Sequence, residues 1–311
     1  MLRKTLLFLS DQPRIFSFVR RNRLAQRFAM RFVAGETLDT AVQAVRELNA
    51  RKISVSLDLL GESVTTEAEA RAASRQYLDM LDRIHHLALD ANVSVKLTQM
   101  GLDIGEELCV SIMGTILDRA RQYGNFVRLD MESSDYTERT LRMFEDRLYP
   151  NYRDYVGIVL QSYLYRTDAD VDMANRLHCR VRICKGAYQE PPSVAYPDKA
   201  AVDESYVRSM RRLMKEGNYP GIATHDPAII AEAKRFAREY RIAADRFEFQ
   251  MLYGVRRDLQ DQLVRDGYRM RVYVPFGTQW YPYLMRRLAE RPANVAFITG
   301  NVVREALRGR R

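Results

Sequence analysis

Two adjacent arginines, Arg286 and Arg287, follow Tyr283 by three and four residues in the run YVPFGTQWYPYLMRRLAER from Tyr273 to Arg291. On a helix these three side chains share a face. Arginine offers a rigid fork of donors that matches a carboxylate, and tyrosine rings can enclose an apolar body beside it. The spacing therefore fits a small ligand with a carboxylate at one end. It fits equally well a solvated Arg–Arg pair on an outer helix, and the spacing alone does not choose.

Other residues with chemistry in them end short β-branched runs: Asp58 and Glu62, Lys96, Asp130 and Glu132, Gln161, Arg182 and Lys185, Thr224 and His225, Gln250 and Tyr253, and Tyr273. Singly each is weak. Lys96 suits a barrel salt bridge, a ligand contact or, like Lys185, the Schiff-base lysine of a lyase. His225 suits a structural role as well as a ligand contact. Four histidines, two of them adjacent in a helical stretch (His85, His86), give no zinc pattern, and no metal is expected. Cys109, Cys179 and Cys184 form neither a metal spacing nor a disulfide framework, as in a cytoplasmic protein. Collectively the polar groups say more. Buried charge costs free energy unless it is paired or binds something, so an apolar barrel would not gather it at one end of nearly every strand.

The elements that must hold these residues alternate along the chain. The runs are Ile53–Leu59, Val93–Leu97, Phe126–Asp130, Val156–Gln161, Val181–Lys185, Gly221–His225, Phe247–Leu252 and Arg271–Val274. Long charged amphipathic stretches separate them at the length of a βα unit. Eight such units predict an α/β fold, a closed (βα)8 TIM-like barrel whose chemistry sits at the C-terminal strand ends. An open doubly wound sheet would need a glycine-rich turn after its first strand, and Gly61 alone does not make one. Residues 1–48 read as an N-terminal helical arm, with Gly35 breaking the pattern and Thr37 capping a helix to Leu48. Residues 49–311 read as the barrel domain.

Of the 311 residues 47% are hydrophobic and 29% charged, which is enough apolar material for a packed core and argues against disorder. The net charge of +9 is unevenly placed. Residues 1–31 carry +7 and residues 304–311 carry +3, leaving the body at −1. A nucleic-acid enzyme more usually spreads basic charge over its working face, so no nucleic acid is expected. A basic arm with apolar residues at helical spacing instead fits attraction to an anionic membrane surface, or simply a solvated tail. No apolar run reaches the roughly 20 residues of a spanning helix, and Met1–Leu9 is followed by no small-residue cleavage site, so no signal peptide is expected.

Eight ordered segments now carry a resemblance: DLLGE (58–62), VKL (95–97), RLDME (128–132), VLQSYL (159–164), RICKGAY (182–188), ATHD (223–226), EFQMLYG (248–254) and YLMRRL (283–288). From about Phe32 to Phe297 the chain resembles the proline dehydrogenases, in their monofunctional bacterial form, since no aldehyde dehydrogenase segment accompanies it. The resemblance implies FAD over the strand ends, with the last helix placed above the barrel. It implies that Lys96, Arg286 and Arg287 bind the carboxylate of L-proline, and that Leu252, Tyr273 and Tyr283 surround the ring. Arg182 and Gln161 would meet the flavin, and Lys185, Gly186, Ala187, Thr224 and His225 would hold the rest of FAD. Asp130 and Met131 would stand at the site, and Lys96, Asp130, Arg182 and Tyr273 would be its catalytic residues. Glu62 would pair with Arg286 as a gate. Hydride would pass from the ring carbon beside nitrogen to the flavin, giving Δ1-pyrroline-5-carboxylate, the first step of proline catabolism. A membrane quinone would take the electrons at the inner face of the cell membrane, and a pyrroline-5-carboxylate dehydrogenase is a candidate partner. The nearest rivals are a flavin barrel of the methylenetetrahydrofolate reductase type, which lacks the Arg–Arg helix, and a Schiff-base lyase.

Overall fold

The computed structural model describes residues 30–290, and for residues 286–290 the backbone only. The basic tails, most of the expected arm and the side chains of Arg286 and Arg287 thus lie outside the described residues. Among those residues, eight strands close in chain order into one parallel barrel, each strand hydrogen-bonded to the next and β8 to β1. The expected (βα)8 barrel is the observed fold.

Helix α1 (Leu38–Asn49) precedes the barrel. Thr37 caps it, and a left-handed Gly35 (φ +99°) turns the chain into it; a Cβ there would meet the Thr40 hydroxyl at 2.2 Å. The units then run β1 (Ser54–Leu59), α2 (Glu67–His86), β2 (Ala91–Val95), α3 (Glu106–Gln122), β3 (Val127–Leu129) and α4 (Ser134–Met143). A π turn leads into a short α5 (Tyr149–Tyr152), then β4 (Val156–Gln161), α6 (Thr167–Leu177), β5 (Arg180–Cys184) and α7 (Lys199–Glu216). The last units are β6 (Gly221–Ala223), α8 (Pro227–Glu239), β7 (Glu248–Leu252), α9 (Arg257–Arg265), β8 (Met270–Phe276) and α10 (Trp280–Glu290).

Local sequence explains the starts. Thr66 and Glu69 form a reciprocal capping box on α2, and Asp226 caps α8 with Pro227 in its first turn, where a missing N–H costs nothing. β8 runs two residues beyond the expected Val274, through Pro275. Proline needs no partner for a donor it lacks, and the Pro275 carbonyl accepts from Ala34 N–H (2.8 Å). β3 and β6 are shorter than expected, although Asp130 N–H still donates to Val95 O (2.9 Å) and Thr224 N–H to Gln250 O (3.1 Å) just past their ends.

Strand alternation sorts the side chains. Val55, Leu57, Val93, Val95, Val181, Ile183, Phe249 and Val272 are buried in the apolar core shared with the helices. The opposite positions point inward and are polar: Ser56, Asp58, Ser94, Arg128, Arg182, Glu248, Gln250, Arg271 and Tyr273. Arg182 on β5 bonds Ser56 on β1 (3.3 Å) and Ser94 on β2 (3.2 Å), contacts available only through the barrel's interior. The usual barrel fills that space with Val, Ile and Leu. Among the described residues no helix is long and apolar enough to cross a membrane.

Candidate active site

At the C-terminal ends of the strands lies a cavity of about 1740 Å³. Ordinary small-ligand pockets run about 300–1,000 Å³, so this one has room for an extended cofactor together with a small substrate. It is lined by Glu62, Lys96, Asp130, Met131, Gln161, Arg182, Lys185, Gly186, Ala187, Thr224, His225, Leu252, Tyr273 and Tyr283. The site residues that the resemblance implied are therefore in one place, apart from the two arginines whose side chains are not described, whereas the strand-end candidates Glu132 and Tyr253 do not line the cavity.

The floor of the cavity is a closed set of charges. Lys96, just beyond β2, donates to Asp58 Oδ1 at the end of β1 (2.9 Å) and lies 3.9 Å from Asp130 Oδ2. Asp130, just beyond β3, accepts from Arg182 Nη1 on Oδ1 (2.8 Å) and from the Tyr273 hydroxyl on Oδ2 (2.7 Å). The Arg182 guanidinium lies over the Tyr273 ring at 5.2 Å. Burial alone would push Lys96 down and Asp58 up. For Lys96 the two carboxylates outweigh burial, Asp58 more than Asp130, so its ammonium is held well above the usual lysine range. Burial, then Asp130, pushes the Tyr273 phenol well up, which keeps it a hydrogen-bond donor. Lys96 is thus not a bare cation, and an unprotonated Schiff-base lysine is disfavoured there.

Above the floor, two loops are laced together. Tyr163 N–H donates to Lys185 O (3.0 Å), Tyr196 N–H to Tyr163 O (2.7 Å) and Tyr165 N–H to Val194 O (3.1 Å). Gly186 takes φ +108° flat against the Tyr163 ring, where a Cβ would lie 2.4 Å from a ring carbon, so only glycine fits. Glu190, farther along the same loop, accepts from Ser134 N–H (2.8 Å) and the Tyr163 hydroxyl (3.2 Å) and so pins the loop to the start of α4. Lys185 stands 2.5 Å from Asp203 and 3.1 Å from Asp226. His225 Nε2 accepts from Leu252 N–H (3.0 Å), which places that ring's proton on Nδ1 and fixes the backbone of Leu252.

Gln161 holds an acceptor that the described residues do not use. Its Nε2 donates to Glu132 O (3.1 Å), while its buried Oε1 has no hydrogen-bond partner among the described residues. A buried amide oxygen left unpaired costs free energy, and a ligand donor in the cavity would satisfy it. Glu132 itself accepts from Thr98 N–H (3.1 Å) and the Thr98 hydroxyl (2.6 Å), and burial raises its carboxyl. Cavity size, the glycine cradle and this orphan acceptor fit a flavin dinucleotide.

From sequence, Asp58 and Gln250 stand out only as polar strand-end residues, and Tyr188 only as part of the RICKGAY segment. The structure adds them: Asp58 binds Lys96, Gln250 binds Arg182 (2.6 Å), and Tyr188 lines the cavity near enough to Lys96 to raise its basicity. A signal existed in the alternation of β7, where Glu248 and Gln250 share the inward face.

Similarity to known proteins agrees with this geometry. The family described as "Proline dehydrogenase" matches residues 41–300. The chain is 41% identical over 307 residues to a proline dehydrogenase of Deinococcus radiodurans, covering 98% of each chain. It is 40% identical to proline dehydrogenase 1 of Bacillus subtilis, covering 98% of this chain and 100% of that one. The fold superposes with a TM-score of 0.80 and 26% identity on proline utilization A from Bdellovibrio bacteriovorus inactivated by N-propargylglycine, covering 89% of this chain and 34% of that longer one. Similar end to end to relatives of that name, this chain belongs to the proline dehydrogenase family.

Proposed function

We propose that the protein oxidises L-proline to Δ1-pyrroline-5-carboxylate in the first step of proline catabolism, using FAD held across the barrel mouth. The observation that carries this is the charged floor beneath a cavity of cofactor size, with the Gln161 oxygen left open to it. Bound there, FAD would supply the hydride acceptor. Lys96, with Arg286 and Arg287 from α10, would hold the proline carboxylate. Tyr273, tethered by Asp130, would wall the ring with Leu252 and Tyr283, and the His225–Leu252 bond would keep that wall in place. Arg182 and Gln161 would face the flavin ring. Met131, Lys185, Gly186, Ala187, Thr224 and His225 would hold the rest of the cofactor, Lys185 exchanging a carboxylate partner for a phosphate.

Hydride leaves the carbon beside the ring nitrogen only if the amine's lone pair is available. The positive charges of Lys96 and Arg182 are balanced at the floor by Asp58 and Asp130, so the added positive field would come from the α10 arginines. That field favours the unprotonated amine. Glu62, which lines the mouth, would latch Arg286 over the bound substrate and exclude water. The basic residues 1–31, within an N-terminal arm of 1–48 ahead of the catalytic barrel, would bring the protein to an anionic cytoplasmic membrane face. There electrons would pass to a quinone and product to a pyrroline-5-carboxylate dehydrogenase. Purified protein should show flavin absorbance, and borohydride with a carbonyl substrate should trap no lysine adduct. A colourless protein that traps an adduct would instead be a Schiff-base lyase.

A further inference from the structure

Gln250 sits midway along β7, at the cavity floor beside Arg182 and facing inward. Its Oε1 accepts from Arg182 Nε (2.6 Å) and its Nε2 donates to Glu248 Oε1 (2.6 Å). Arg182 Nε can only donate and the Glu248 carboxylate can only accept, so the amide has one permitted orientation. Glu248 is fixed in turn. Arg271 Nε donates to the same Oε1 (2.7 Å) and the Tyr219 hydroxyl to Oε2 (3.1 Å). Gly221 on β6 makes the room: a Cβ there would lie 2.4 Å from Gln250 Nε2, so any side chain would drive the amide from its place. Arg182 meets Asp130 through Nη1 and the two serines through Nη2, and Gln250 is the partner of its remaining nitrogen, Nε.

We infer that Gln250 is a positioning residue for Arg182: it fixes the plane of the guanidinium beneath the cavity, with Glu248 as its anchor and Gly221 as the slot that admits it. This rests on the assignment of Arg182 as the flavin-facing cation. A guanidinium held on three nitrogens presents its charge in one pose. Released at Nε, it keeps the Asp130 bond and the two longer serine contacts, so its plane can tilt about them, and the charge presented to the cavity weakens.

The test uses the flavin-loaded protein with Gln250→Met, Gly221→Ala, Gln250→Glu, and Gln250→Glu combined with Glu248→Gln. Two quantities are read: the midpoint potential of the bound flavin and the pose of Arg182 in crystals of each variant. Gln250→Met and Gly221→Ala should each retain flavin, move the guanidinium, and lower the potential by about tenfold in the two-electron equilibrium, or about 30 mV. Gln250→Glu alone sets two carboxylates against each other and should lower it at least as much. Adding Glu248→Gln restores one donor between the two positions and should return the potential to within about threefold of wild type, or about 15 mV. An unmoved guanidinium and an unchanged potential in Gln250→Met, or a swap no better than Gln250→Glu, would overturn the inference. If Gln250→Met does not fold, Gly221→Ala decides alone. Wild-type protein without flavin would sink the cofactor assignment, and the Arg182 pose in the same crystals would still decide the positioning claim.

Discussion

Two tiers of charge share the interior of this barrel. In the lower tier, Arg271 donates to Glu248 and to Val55 O (2.7 Å), while Arg128 donates to Ile158 O (3.0 Å) and Arg180 O (2.7 Å) and lies over the Phe126 ring. Gly157 leaves the space for Arg128, since a Cβ there would sit 2.8 Å from Nη1. In the upper tier, Lys96, Asp58, Asp130, Arg182 and Tyr273 are as densely bonded, but they face a cavity. The pressures differ accordingly. Burial, followed by the field of Arg182, pushes Arg128 down to about 9, whereas nearby carboxylates hold Lys96 up. Buried charge is therefore not by itself a mark of chemistry. The lower tier braces, and the upper tier has an open side.

Breaking each tier should separate the two roles. The largest expected effect is on stability from below. Arg271→Met leaves Glu248 buried without its main partner and should cost about 3–5 kcal/mol of folding free energy, read from urea unfolding. An unaltered unfolding midpoint would remove the distinction. From above, Arg287→Met should lose about 2–5 kcal/mol of apparent proline affinity with flavin content intact, read from steady-state kinetics. Unchanged affinity would exclude Arg287 from the carboxylate site. Smaller again is the latch. Glu62→Ala and Arg286→Met should couple in a double-mutant cycle on flavin reduction, by about 0.5–1 kcal/mol, as for an ion pair near solvent. Additive effects would remove the gate.

A last effect, absent at neutral pH and visible only in alkali, concerns groups outside both tiers. Cys109 and Cys179, buried between barrel and helices, are pushed up to about 12 chiefly by burial, from an ordinary value of 9.0. A raised thiol contributes stability that is complete below pH 9 and is lost as pH climbs towards about 12. Replacing both with alanine should flatten the fall in unfolding free energy across that window. An identical slope in the variant would show that neither thiol is shielded as the packing implies.

The fold was almost wholly legible, because each strand is a compact β-branched run bounded by charged amphipathic helices. The upper tier was legible in part: Asp58, Lys96 and Asp130 stand at or just beyond strand ends, which declares their position in a barrel, whereas Arg182 and Tyr273, read as strand ends, lie mid-strand. The lower tier was not. Arg128, Glu248 and Arg271 lie within strands, where a window sees only interrupted apolar runs. The usable signal was the two-residue period in Arg180–Arg182, Glu248–Gln250 and Arg271–Tyr273. Partners such as Asp58 for Lys96 depend on barrel register and have no mark in local sequence.

The central claim is that this cavity couples L-proline to a bound flavin. Anaerobic titration of the purified protein with L-proline, followed in the visible flavin bands, tests it most directly. The account predicts stoichiometric bleaching with release of Δ1-pyrroline-5-carboxylate, and a shift to higher proline concentration in Arg287→Met. Flavin bands that stay unbleached at saturating proline, in protein that has kept its fold, would contradict it.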